Sequence, residues 1–146
     1  MKRLLGLVLA LAACSSAQHP AASSTGAAVG ADSPRQAVQA FLGAAKAQDL
    51  RAMALVWGTK DGPARDVVDK SQLEKRELIM QCYVNHDSYT IQSEAPGESD
   101  TRVLSVSLSK GELMRQTTFT TVQGPGARWY VRDLQLEPLK DLCATS

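Results

Sequence analysis

Side chains that can move protons or hold metals crowd the middle of the chain: Cys82, Tyr83, His86 and Asp87, with Tyr89 two residues on. Cys82 and His86 stand four apart, a spacing that puts two ligands on one face of a helix. Two ligands are too few to close a tetrahedral site, and no second Cys or His lies nearby, so no metal is expected. His86 and Asp87 have the types of a general base and the group that orients it, but adjacent residues at a helix end point apart. The same residues also read as a solvated helix end leading into a strand. A second set is basic. Arg102 shares strand parity with Leu104, Val106 and Leu108, Arg115 with Leu113 and Phe119, and Arg132 with Tyr130 and Leu134. Facing inward, these guanidiniums would suit a carboxylate or phosphate; at strand ends they would lay their stems on apolar surface and reach water. Arg102, Arg115, Tyr83 and Tyr89 are the ligand-binding candidates. No glycine-rich phosphate loop and no Gly-x-Ser-x-Gly nucleophile motif is present, so no cofactor and no catalytic residue is assigned.

The three cysteines divide by position. Lys2 and Arg3 precede ten uncharged residues, Leu4 to Ala13, far short of the roughly 20 needed to span a bilayer as a helix. The run ends in Leu11-Ala12-Ala13-Cys14, which resembles the lipobox of bacterial lipoproteins. Small residues there admit the signal peptidase, and the Cys14 thiol takes diacylglycerol, whose two acyl chains hold a protein far better than one. The resemblance implies a signal peptide over residues 1–13 and a mature chain held on a membrane through Cys14. The alternative is an ordinary secretory signal with a chance cysteine. Ser15, rather than aspartate, follows the cysteine; in a Gram-negative host this implies the outer membrane, facing the periplasm. Cys82 and Cys143 would then share an oxidising compartment, where two thiols favour a disulfide. The other arrangement is a buried free Cys82 with a loose Cys143.

Residues 14–32 are mostly Ala, Ser, Gly and Pro and read as a flexible tether, with His19 solvated in it. Across the whole chain 44% of residues are hydrophobic and 21% charged, enough for one packed core. Aromatics at 5% are too sparse for a base-stacking surface, and losing Lys2 and Arg3 with the leader would bring the net charge from +1 to −1. Neither feature suits a nucleic-acid partner.

The elements that must position the candidates follow in order. Ser33-Pro34-Arg35-Gln36 is an N-cap, a proline at the first helical position and a capping-box partner. Val38, Phe41, Leu42 and Ala45 continue it as an apolar stripe. Asp49 caps a second helix, with Leu50, Met53, Ala54 and Trp57 inward and Gly58 ending it. Residues 59–70 are a loop with one helical turn near Val67 and Val68. Ser71-Gln72-Leu73-Glu74 is a second capping box, opening a helix whose inward residues are expected to be Ile79, Cys82 and Tyr83, with Leu78 beside them. From Ser88 the period becomes alternating: Tyr89 and Ile91, then Leu104 to Leu108, then residues 112–123, then Arg128 to Leu136. Helices followed by a meander give an α+β domain over residues 33–146, with helices packed on a curved antiparallel sheet of about four strands.

Ser33-Pro34 through Phe41-Leu42, Gln48-Asp49-Leu50, Met53 to Trp57 and Arg128-Trp129-Tyr130-Val131 together resemble the nuclear transport factor 2-like superfamily. The resemblance implies a cone, its sheet curled around a pocket that the helices close. That superfamily includes ketosteroid isomerases, scytalone dehydratases and polyketide cyclases beside many non-enzymatic binding domains, so fold does not decide function. Its enzymes place acids, tyrosines or histidines in the cone, and no complete set matches here. The expected role is a lipid-tethered envelope domain that binds a small molecule or an envelope protein without catalysis. The competing expectations are an acid–base enzyme using Tyr83, His86, Asp87 and Tyr89, and a structural module that homodimerises through its sheet.

Overall fold

The computed structural model describes residues 28–145, so the expected signal peptide, Cys14 and most of the expected tether lie outside the described residues. Helix α1 spans Pro34–Lys46, and the Ser33 hydroxyl accepts the Gln36 amide at 3.2 Å, one half of the expected capping box. Its stripe of Val38, Phe41, Leu42 and Ala45 is buried. Helix α2, Leu50–Val56, opens on Asp49, whose carboxylate accepts the Ala52 amide at 2.9 Å. Trp57 is its C-cap and is only half-buried, because the chain turns there into the two-residue strands β1, Gly58–Thr59, and β2, Gly62–Pro63. A single helical turn, α3, covers Ala64–Val67.

Helix α4, Lys70–Tyr83, departs from expectation at its start and in its phase. Asp69 rather than Ser71 is the N-cap; its carboxylate accepts the Ser71 amide at 2.8 Å and the Ser71 hydroxyl at 2.5 Å. A carboxylate one residue before the helix competes better for the free amides than the hydroxyl within it. The inward residues are Glu77 and Met80, continued by Val84 just past the end; Leu78 and Ile79 are 48% and 43% exposed, and Cys82 and Tyr83 only half-buried. Apolar residues are spread around this helix, so its period does not fix which side faces in. The neighbouring elements do.

The sheet is a meander in the order β3-β4-β5-β6, every neighbour antiparallel: Ser88–Pro96, Thr101–Lys110, Leu113–Gln123 and Trp129–Leu134. The β4–β5 turn brings Lys110 opposite Leu113, and Gly111 takes the positive φ of 55° that such a tight turn requires. One face presents Leu104, Val106, Leu108 and Phe119, all fully buried, to α1, where the Phe119 ring meets Phe41 edge-on at 6.0 Å. The opposite face is polar, with Gln92, Ser105 and Gln116 hydrogen-bonded across three strands. At β6 the register skips: Thr120 faces Asp133 and Thr121 faces Val131, which leaves Arg132 as an extra residue. Val131 and Leu134 both point into the core while Arg132 is exposed, so Arg132 does not share the face of Leu134.

Both ends of the described chain are tied down. Residues 29–32, which composition places in the tether, are pinned to β6: Ala31 and Trp129 exchange two backbone hydrogen bonds, and the Arg128 guanidinium donates to the carbonyls of Val29 and Gly30 and pairs with Asp32. Beyond β6, a 3-10 turn at Glu137–Leu139 leads into helix α5, Lys140–Ala144, not expected from sequence. Leu139 and Leu142 are fully buried, and Cys143 is bonded to Cys82 of α4 with their Cα atoms 4.8 Å apart. The disulfide therefore holds α5 on the core. The architecture is α+β, with helices both before and after a four-stranded antiparallel sheet.

Candidate functional site

The arginines do not share a site. Arg102 and Arg115 lie on the core-facing side of the sheet but at opposite ends of it. Arg115 pairs with Leu108, six residues along β4 from Arg102, a separation of about 20 Å at strand rise. Between them the face is filled by Leu104, Val106 and Phe119. Arg115 is satisfied by α5, donating Nη2 to the Asp141 carboxylate at 2.6 Å and Nε to the same oxygen at 3.2 Å. Arg102 lines a shallow depression at the far end, with Thr101, Gln123 and Trp129.

The His86 cluster is built differently from a catalytic pair. His86 is 5% exposed, and its Nδ1 lies 2.6 Å from the Val84 carbonyl oxygen. A carbonyl only accepts, so Nδ1 carries the proton. Burial pushes the imidazole pKa below its ordinary value, the Val84 hydrogen bond opposes this, and nearby Lys46 adds to the lowering. The Asp87 carboxylate turns away to accept the Gly111 amide at 2.8 Å, and Lys46 donates to the Asp87 carbonyl. Tyr89 packs edge-on against the His86 ring at 5.6 Å, and both Tyr83 and Tyr89 lie against the core. Asp87 thus ties the segment after α4 to the β4–β5 turn, whereas the His86 bond to Val84 stays within that segment. Among the described residues no group of three or more His, Cys, Asp or Glu is placed to hold a metal ion.

A different residue stands out. Glu77 is 3% exposed, and its Oε1 is buried with no hydrogen-bond partner among the described residues. Buried polar atoms are nearly always paired, because an unmet acceptor carries its full desolvation cost. Burial, and secondarily the Glu74 carboxylate one turn away, push its pKa from 4.5 up to about 7. Glu77 lines a groove of about 670 Å³ between α2, α3 and α4. Leu50, Ala54 and Leu55 of α2 and Leu73 of α4 give it apolar walls; Arg51 and Arg65 stand at its edge, with Glu74 beside Glu77. Arg65 is engaged by Asp66 at 3.4 Å, and neither arginine contributes to the Glu77 shift. A cleft with apolar walls and a few charged side chains, one of them buried with an unpartnered oxygen, has the make-up of a small-molecule site.

Sequence reasoning passed over Glu77, yet one signal for it was present. Leu73, Glu77, Met80 and Val84 recur at spacings of four, three and four, so a carboxylate occupies a place in an otherwise apolar stripe. No protein-family model matches this chain, and no curated protein matches it either.

Proposed function

We propose that this protein is a non-catalytic binding domain, lipid-tethered at the bacterial cell envelope, whose ligand seats in the α2–α3–α4 groove over Glu77. The observation that carries the ligand site is Glu77, which lines an apolar-walled groove and whose buried Oε1 nothing described in the fold satisfies. A ligand donor would supply the missing hydrogen bond. The helix pair packed on an antiparallel meander supports kinship with the nuclear transport factor 2-like superfamily, with the ligand on the helical side because apolar side chains fill the sheet side. The anchor rests on the lipobox-like Leu11-Ala12-Ala13-Cys14 and on the disulfide, a bond suited to an oxidising compartment. Under this proposal the domain follows residues 1–13 and a tether from Cys14, on the periplasmic side of the outer membrane. No helix among the described residues is long and apolar enough to cross a membrane, so attachment would fall to the lipid.

One observation favours acid–base catalysis as a second function: a carboxyl group titrating near neutrality is suited to accept or return a proton. Among the described residues its one acidic neighbour on the groove is Glu74, a like charge rather than a complementary donor. Homodimerisation through the sheet has less support, because hydrogen-bonded Gln and Ser cross its outer face and, among the described residues, Met114 is the one large apolar side chain of β5 exposed there.

Native mass spectrometry on the full chain purified without reducing agent tests the groove. A bound small molecule is expected on the wild type and absent from Ala54→Trp, in which an indole fills the cleft. An adduct held equally by both would place the ligand elsewhere, and release of a chemically altered molecule would favour the enzyme.

A further inference from the structure

Accepting the groove as the ligand site, we infer that its ligand is an amphipathic amine, its ammonium head seated between Glu77 and Glu74 and its apolar body lying along Leu50, Ala54, Leu55 and Leu73. The charge of the head follows from what the site lacks. Two glutamates one helical turn apart on α4 line the same cleft, and one of them holds a buried acceptor without a partner among the described residues. A neutral donor would satisfy Oε1 but leave the repulsion between the acids; an anion would add to it. An ammonium relieves both, because it brings N–H donors and positive charge to the same point.

Among the described residues no side chain supplies that cation. Arg51 of α2 and Arg65 of α3 are exposed at the groove edge, and Arg65 is turned to Asp66. Burial and the Glu74 carboxylate raise the Glu77 pKa. The body of the ligand follows from the walls, which are aliphatic and carry no aromatic ring to stack on a flat heterocycle. A flexible alkyl chain fits such a surface.

The test uses three probes of equal chain length, octylamine, octan-1-ol and octanoate, titrated into the full-length chain at pH 8. Binding is followed through the methyl signals of Leu55 and Leu73. Octylamine is expected to bind about tenfold more tightly than octanol, the ratio that one charge-assisted hydrogen bond supplies. Octanoate should bind most weakly. Glu77→Gln, a neutral near-isostere expected to fold at least as well, should bring octylamine down to octanol's affinity and leave octanol unchanged. Octylamine affinity should also weaken as pH falls through about 7, where Glu77 takes up its proton, while octanol's stays level. Equal binding of amine and alcohol to the wild type would overturn the amine and leave the groove as an apolar site. No shift of either leucine with any probe would overturn the groove itself.

Discussion

A carboxyl group placed as Glu77 is holds its proton more tightly in the folded chain than in the unfolded one. Its pKa rises from 4.5 to about 7, so between those values the native state binds more protons, and stability falls as pH rises through that window. At pH 8 the ionised, unpaired carboxylate costs roughly 2 kcal/mol after allowance for water at the groove mouth. Glu77→Gln should therefore raise unfolding free energy at pH 8 by about 1–2 kcal/mol and change it little at pH 4.5, as urea titrations at the two values would read. His86 works in the opposite sense. Its pKa is lowered, so the unfolded chain binds the extra proton, and stability is lost as pH falls below the ordinary imidazole value of 6.5. In the Glu77→Gln background that acid-side loss should stand alone, and a second substitution, His86→Gln, should flatten it. If the Glu77→Gln variant still lost stability as pH rose from 4.5 to 7, Glu77 would not be the group responsible.

At the scale of elements, the helices show where sequence speaks and where it is silent. Ser33 and Asp49 announce α1 and α2 because each combines a capping side chain with an apolar stripe of clear period. Helix α4 lacks such a stripe, and packing against α2, α3 and α5 decides its phase. For that reason Ile79 is exposed, Glu77 is buried, and the expected inward face is turned away. The strands were legible from alternation, but the skip that ejects Arg132 depends on how β6 pairs with β5, which no local pattern encodes. Helix α5 escaped notice because five residues carry too little periodicity. The start of α4 gives a direct check. Asp69→Ala should lower the urea midpoint more than Ser71→Ala, since Asp69 takes up the Ser71 amide; the reverse order would restore Ser71 as the cap.

At the scale of the whole molecule, the disulfide and the proposed anchor concern separate ends of the chain. Cys82 and Cys143 are 61 residues apart, and closing a loop of that length stabilises a fold by about 4 kcal/mol in the chain-entropy model. The double variant Cys82→Ala/Cys143→Ala should lose about 3–4 kcal/mol, with the 3-10 turn of buried Leu139 and α5 with its buried Leu142 released first. Hydrogen exchange showing α5 as protected as β4 in that variant would contradict this. Cys14→Ser should move the protein from the membrane to the soluble fraction of the cell and abolish labelling by fatty acid; continued membrane attachment would remove the lipoprotein proposal. The pairing of Cys82 with Cys143 could be argued from compartment and count, whereas the groove could not, because it depends on how three successive helices pack on one another, which no local pattern encodes. The central claim, that Glu77 is a buried and uncompensated carboxyl at the floor of that groove, is tested most directly by following the Glu77 side-chain carboxyl carbon by NMR from pH 3 to 9. A midpoint near 7 is expected. A midpoint near 4.5 would mean that the group is solvated or already paired, and would contradict the account.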